Sequence, residues 1–275
     1  MKYTSKIFLQ IGTAVMLLSA TLSLIGLLVE DLYQDTNFFI LSGWRINDWV
    51  TLLVATPIFI IAISLGKRGN KSGFALLTGL MMYTVYNYSY YLFGAAFNAA
   101  FLGYVIVFVL GIFGLITGVI TLLHLVSQED LPSILVTKSI SVYMIMTATF
   151  LSIGWVGQWL NFIIKGIKPP LLEQLGSTNH LVAALDMTFV VPGFLFGAIL
   201  LWKEHILGLI VSLMVNVKSV IYNVILIWGS FFQHREGVEG AATLIPLWGF
   251  FLIGSVLSMV GLLRFLKRNI VIGYN

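Results

Sequence analysis

Residues 102–126 read LGYVIVFVLGIFGLITGVITLLHLV. The stretch contains no Asp, Glu, Lys, Arg or Pro. At about 1.5 Å per residue, a helix of this length spans the ~30 Å hydrocarbon layer of a bilayer. The stretch therefore predicts a transmembrane helix.

The composition extends this prediction to the whole chain. Apolar side chains make up 59% of the 275 residues and charged ones 9%, with a mean hydropathy of +0.99, whereas about a quarter of the residues in a soluble domain are charged. Such a chain cannot form a soluble core with a polar surface. This excludes a cytosolic enzyme, a nucleic-acid-binding protein and a secreted disulfide scaffold, and it makes the lipid bilayer the first partner.

Eight apolar segments are long enough to span the membrane. They predict an all-α, polytopic integral membrane helical bundle of about eight transmembrane helices, forming a single domain over residues 1–275. The segments are Ile7–Val29, Trp49–Leu65, Gly73–Phe97, Leu102–Val126, Ser139–Ile164, Val182–Trp202, Ile206–Ser230 and Leu244–Phe265.

The basic residues predict the orientation, because cytoplasmic loops are enriched in Lys and Arg. With both termini in the cytoplasm of a plasma-membrane protein, the inner side holds Lys2, Lys6, Lys67, Arg68, Lys71, Lys138, Lys203, Arg264, Lys267 and Arg268. The outer side then holds only Arg45, Lys165, Lys168 and Arg235. Two long connections, Glu30–Asp48 and Lys165–Leu181, are expected outside.

An internal repeat is a further hypothesis. The spacing from Ser42 to Pro57 equals that from Ser177 to Pro192, and Tyr86-Asn87 and Tyr222-Asn223 lie at similar offsets. Four spans per half would give a parallel 4+4 repeat of residues 1–135 and 136–275, with a site between the halves. Membrane helices share a small alphabet, however, so such matches also arise by chance.

Two ionisable residues lie within predicted spans, where a central charge costs ~2.5–3.5 kcal/mol on insertion scales. These are Asp186 in the sixth span and Lys218 in the seventh, with a predicted depth difference of about 8–10 Å at ~1.5 Å per residue. A lysine side chain together with a water or a Tyr hydroxyl can bridge that difference. The pair is then either the centre of a binding site or a structural ion pair.

Uncharged polar residues lie at the same depth. Tyr83, Tyr86, Asn87 and Tyr90 are spaced to share one helical face, and Arg45 and Asp48 are expected at the outer mouth of the second span. Together these residues predict a polar cavity in the outer half of the bundle, although helix-packing hydrogen bonds are the alternative explanation. The candidate ligand-binding residues are Lys218, Asp186, Asn87, Tyr86, Tyr90, Gln158, Tyr222 and Asn223.

The cavity favours binding or transport of a small polar or anionic solute. We predict no catalytic residue, metal or cofactor, since the chain has no Cys and its His residues show no metal-binding spacing. Three alternatives remain: an accessory or structural subunit of a membrane complex, a retinal-type photoreceptor with a Schiff base on Lys218, and an intramembrane lipid enzyme.

Two stretches, Trp44–Pro57 (WRINDWVTLLVATP) and Tyr90–Asn98 (YYLFGAAFN), resemble a functionally unassigned family of bacterial multi-pass membrane proteins. The resemblance implies a bacterial plasma-membrane protein. It implies no activity and assigns no role to any residue.

Overall fold

The structure is a computed structural model that describes residues 2–266, and these residues form helices without any strand. Lys267 and Arg268, which contribute to the predicted orientation, lie outside the described residues. The helices are α1 (Lys2–Leu28), α2 (Phe38–Val50), α3 (Thr56–Lys67), α4 (Lys71–Phe93), α5 (Phe101–Leu125), α6 (Ile134–Lys165), α7 (Pro170–Leu175), α8 (Leu181–Leu185), α9 (Val191–Trp202), α10 (Ile206–Arg235) and α11 (Ile245–Leu263).

Seven of the helical stretches are long and apolar enough to cross a membrane. They are α1, α2 continued by α3, α5, α6, α8 continued by α9, α10, and α11 with the turn before it. The all-helical class is therefore confirmed, and these seven candidate spans are consistent with a membrane protein. The predicted third span is present as α4, but its Tyr, Asn and Ser residues keep it outside this set.

The most enclosed helix is α4. Ser72, Leu92 and Phe93 are its only residues that are not buried. It packs against α3, α5 and α10, and small residues permit this close packing: a Cβ at Gly114 or Gly118 of α5 would collide with Met81 or Thr78 of α4, respectively. A helix in this position keeps its polar side chains away from lipid.

The predicted second span, Trp49–Leu65, begins later in the sequence than the helix in the structure. Helix α2 begins at Phe38, where the Asn37 side chain accepts hydrogen bonds from the backbone N–H groups of Phe39 and Ile40. The expected loop Glu30–Asp48 is therefore helical over its second part. The aromatic and polar residues of that part lowered its hydropathy and concealed the helix.

Two π-helical turns interrupt the helices, each shortly before a proline of a candidate span. Thr51–Ala55 links α2 to α3 ahead of Pro57, and Asp186–Val190 links α8 to α9 ahead of Pro192. Such turns are rare and occur frequently at functional sites. The second one begins at the candidate site residue Asp186.

The two halves of the hypothesised repeat, residues 1–135 and 136–275, differ in how their first helices, α1 and α6, pack. Buried residues run along α1 from Ser5 to Gly26, whereas those of α6 end at Ala148, although that helix continues to Lys165. The last part of α6 is therefore less enclosed than the rest of that helix, at the end of the bundle that carries α7, which we call the α7 end.

Candidate functional site

A cavity of about 620 Å³ opens at the α7 end of the bundle. Its walls come from α2, the end of α4, α6, α7, α8, the π-helical turn after it, α9, α10 and α11. The volume lies within the range of ~300–1,000 Å³ that is typical of small-molecule sites. Most of the lining side chains are apolar or aromatic, among them Leu151, Val190, Phe194, Ile225 and Phe251.

Lys218 lines this cavity from α10 and is only 2% exposed. Its Nζ atom lies 3.4 Å from the ring centroid of Tyr86 and 4.4 Å from that of Tyr222. The aromatic faces attract the ammonium group electrostatically, but they do not replace hydrogen-bond acceptors. Within residues 2–266, Nζ has no hydrogen-bond acceptor and no carboxylate at ion-pair distance.

Asp186 faces the same space from the start of its π-helical turn. The Tyr86 hydroxyl donates a hydrogen bond to Oδ1 at 2.6 Å, and the Trp155 indole N–H donates one to Oδ2 at 3.0 Å. Both carboxylate oxygens are thus satisfied by neutral donors. Tyr86 joins the two charged residues, since its hydroxyl holds Asp186 and its ring face holds Lys218.

The structure brings most of the predicted site residues to one place. Six of them line the cavity: Lys218, Asp186, Tyr90, Gln158, Tyr222 and Asn223. Tyr86 lies directly behind them, and its hydroxyl and that of Tyr222 are each 3.0 Å from the Tyr90 hydroxyl. These three hydroxyls form a connected network beside Asp186.

Two of the other predicted placements are wrong. Asn87 does not line the cavity; its side chain is buried and neither its Nδ2 nor its Oδ1 atom has a hydrogen-bond partner. Tyr83 also faces away, since its hydroxyl is 3.0 Å from Thr51 Oγ1. The i, i+3, i+4, i+7 spacing places residues on a broad face, but α4 is buried all round, so the members of that face meet different neighbours.

Asp48 does not lie at the mouth of the cavity. It is buried on α2, where it accepts hydrogen bonds from Tyr33 at 2.5 Å and Tyr91 at 3.0 Å. Burial and the neighbouring Asp48 raise the pKa of Tyr33, so this tyrosine stays protonated as a donor. Arg45, the other residue expected at the mouth, is exposed.

Two residues of the site were missed by the sequence interpretation. They are Trp155 and His180, neither of which is among the candidate ligand-binding residues that the sequence predicts. The His180 Nε2 atom is 3.3 Å from Gln158 Oε1, and its Nδ1 atom accepts the Ala183 backbone N–H at 3.4 Å. The spacing of Trp155 and Gln158, three residues apart on α6, was the available signal for the tryptophan.

His180 lies just before the membrane-spanning stretch Leu181–Trp202. Burial lowers its pKa, and the negative charge of Asp186 opposes that shift. Accepting the Ala183 N–H requires an unprotonated Nδ1. Burial and the hydrogen bond from the Ala183 N–H both favour the neutral ring. The neutral ring then donates a hydrogen bond through Nε2 to Gln158.

Within residues 2–266, no group of three His, Asp or Glu side chains is arranged to hold a metal ion. Comparisons with protein-family models, curated proteins and solved structures gave no match.

Proposed function

We propose that this chain is a multi-pass plasma-membrane protein that binds or transports an anionic solute through a cavity facing outward. One observation carries the proposal: Lys218 has unused hydrogen-bond donors in the cavity, while both oxygens of Asp186 are already occupied. The unused hydrogen-bonding capacity of the site therefore belongs to the Lys218 ammonium group. A ligand that supplies a carboxylate or phosphate oxygen would complete it.

The proposal includes α4 as an eighth crossing. Its 23 residues give a length of about 34 Å at ~1.5 Å per residue, and its enclosed position removes the cost of exposing polar side chains to lipid. Eight crossings put both termini on one side. The excess of basic residues in the loops opposite the α7 end supports a cytoplasmic location for the termini.

Equilibrium binding to the protein in lipid nanodiscs tests the function. The probes are carboxylates and phosphate monoesters of increasing size, each paired with the neutral alcohol of the same carbon skeleton. We expect at least one anion to bind, and Lys218→Met to weaken its binding about tenfold or more, because a hydrogen bond to a charged group contributes ~1.5–3 kcal/mol.

Lys203→Met is the matched control, since Lys203 is exposed in the turn after α9. Its affinity should equal that of the wild type. Binding that is equally strong to Lys218→Met, or no binding of any anion to the wild type, would contradict the proposal.

A further inference from the structure

Helices α6 and α11 leave a gap at the α7 end. Within the described residues, the hydrogen bonds and ring contacts between them all involve Tyr143 or Phe150. The Tyr143 hydroxyl donates a hydrogen bond to Phe251 O at 2.8 Å and is 2.9 Å from Ser255 Oγ, and the Phe150 and Phe251 rings are 5.5 Å apart. Beyond Phe150, α6 has no buried residue. We call the space between residues 151–165 of α6 and residues 245–251 of α11 the α6–α11 gap.

This gap is continuous with the cavity around Lys218. One face of α6 lines the cavity through Thr147, Leu151, Trp155 and Gln158. The facing surface of α11 lines it through Trp248, Phe251 and Ser255, and Leu244 lines it from the turn before that helix. Residues 2–135 show no such gap, because α1 packs against α2, α3 and α5 along its length.

Charge is concentrated at one point of this apolar space. Among residues 2–266, Lys218 is the only Lys or Arg that lines the cavity, and Asp186 is the only acid. The remaining walls are dominated by Leu, Ile, Val, Phe and Trp. A fully polar solute would satisfy Lys218 but leave these walls without an apolar partner.

We infer that the bound solute is an amphiphile with one anionic group and one apolar chain. The anionic group is held by Lys218, and the chain lies along the cavity wall toward the α6–α11 gap, which faces the outer half of the membrane. This inference rests on the proposed function, since it requires the same anion site at Lys218, and it adds the apolar part of the ligand.

Chain length is the first test. Butyl phosphate, octyl phosphate, butanoate and octanoate are titrated against wild-type protein in nanodiscs, and the signal from Lys218→Met is subtracted to remove partitioning into lipid. Each methylene buried in the cavity should raise the affinity about fourfold. We therefore expect the eight-carbon probes of at least one headgroup to bind more than tenfold tighter than its four-carbon probes.

A cavity-filling pair of variants is the second test. Gly229 lines the cavity and has open space around the position of a Cβ, whereas Gly154 on α6 has the same open space but does not line the cavity. Gly229→Leu should weaken binding of the eight-carbon probe at least fivefold, and Gly154→Leu should leave it unchanged.

The outcomes separate the two proposals. If Lys218-dependent binding occurs but does not increase with chain length for either headgroup, the anion site stands and the amphiphile is excluded. Equal binding by Gly229→Leu and Gly154→Leu would also overturn the inference. If no probe binds in a Lys218-dependent manner, both proposals fail.

Discussion

At the scale of single residues, Tyr86 determines how the two buried charges coexist. Its hydroxyl bonds to Asp186 and its ring lies against Lys218, so the two charges share one partner without forming a direct ion pair. The sequence predicted that Asp186 and Lys218 lie near each other and that a Tyr hydroxyl can bridge them. It could not predict which of the clustered tyrosines does so, because that depends on the rotation of α4 against α9 and α10.

His180 gives the site a predicted dependence on pH. Its folded-state pKa is lowered by burial, so the unfolded chain binds more protons and acidification through about pH 6.5 destabilises the fold. Protonation also removes the acceptor for the Ala183 N–H. We expect Tm to fall between pH 7.5 and 5.5, and His180→Gln to reduce that fall.

Thermal unfolding of both proteins at the two pH values in one detergent provides the measurement. His205→Gln is the control, because His205 is exposed and also caps a helix, through the backbone N–H of Leu207. An equal fall of Tm in wild type and His180→Gln would show that His180 does not carry the effect.

At the scale of helices, the start of a helix is predicted well where the sequence is a continuous apolar run. It is predicted poorly where polar residues interrupt that run. The segments Leu102–Val126 and Ile206–Ser230 match the start of α5 and α10 to within one residue. The start of α2 was missed because polar residues, among them Ser42, Arg45 and Asn47, interrupt its apolar run. The π-helical turn at Asp186 could not be predicted, since a proline indicates a bend without specifying the hydrogen-bond pattern around it.

The crossing of α4 is testable with single cysteines, because the chain has none of its own. Arg68 and Phe97 are exposed just before and just after this helix. If α4 spans the membrane, a membrane-impermeant maleimide should label Phe97→Cys on intact cells, and Arg68→Cys only after permeabilisation.

Labelling of both variants, or of neither, on intact cells would contradict the crossing. Labelling of Arg68→Cys alone would support the crossing but reverse the proposed orientation.

At the scale of the whole molecule, the two halves correspond more closely than the sequence match indicated. The π-helical turns start 135 positions apart (51 to 186), and the same offset relates the start of α4 to that of α10 (71 to 206). It also relates the hydrogen-bonded pair Thr51 and Tyr83 to the charged pair Asp186 and Lys218. These matches support the parallel repeat, which stays a prediction.

The difference between the halves could not be predicted from the sequence. Residues of α1 and α6 have similar polarity, and only their packing shows that the first half is closed and the second is open. The charged pair lies in the open half. This coincidence of a cavity with an unsatisfied cation is the basis of the proposed function.

The most direct test compares the Tm of wild type, Lys218→Met, Asp186→Asn and the double variant in one detergent. If Lys218 is kept for a ligand, Lys218→Met removes a buried cation that lacks an acceptor, so its Tm should equal or exceed that of the wild type. Asp186→Asn should lower Tm, because it removes the carboxylate that lines the cavity together with Lys218. A fall of Tm in both single variants, with recovery in the double variant, would instead identify a structural ion pair and contradict the account.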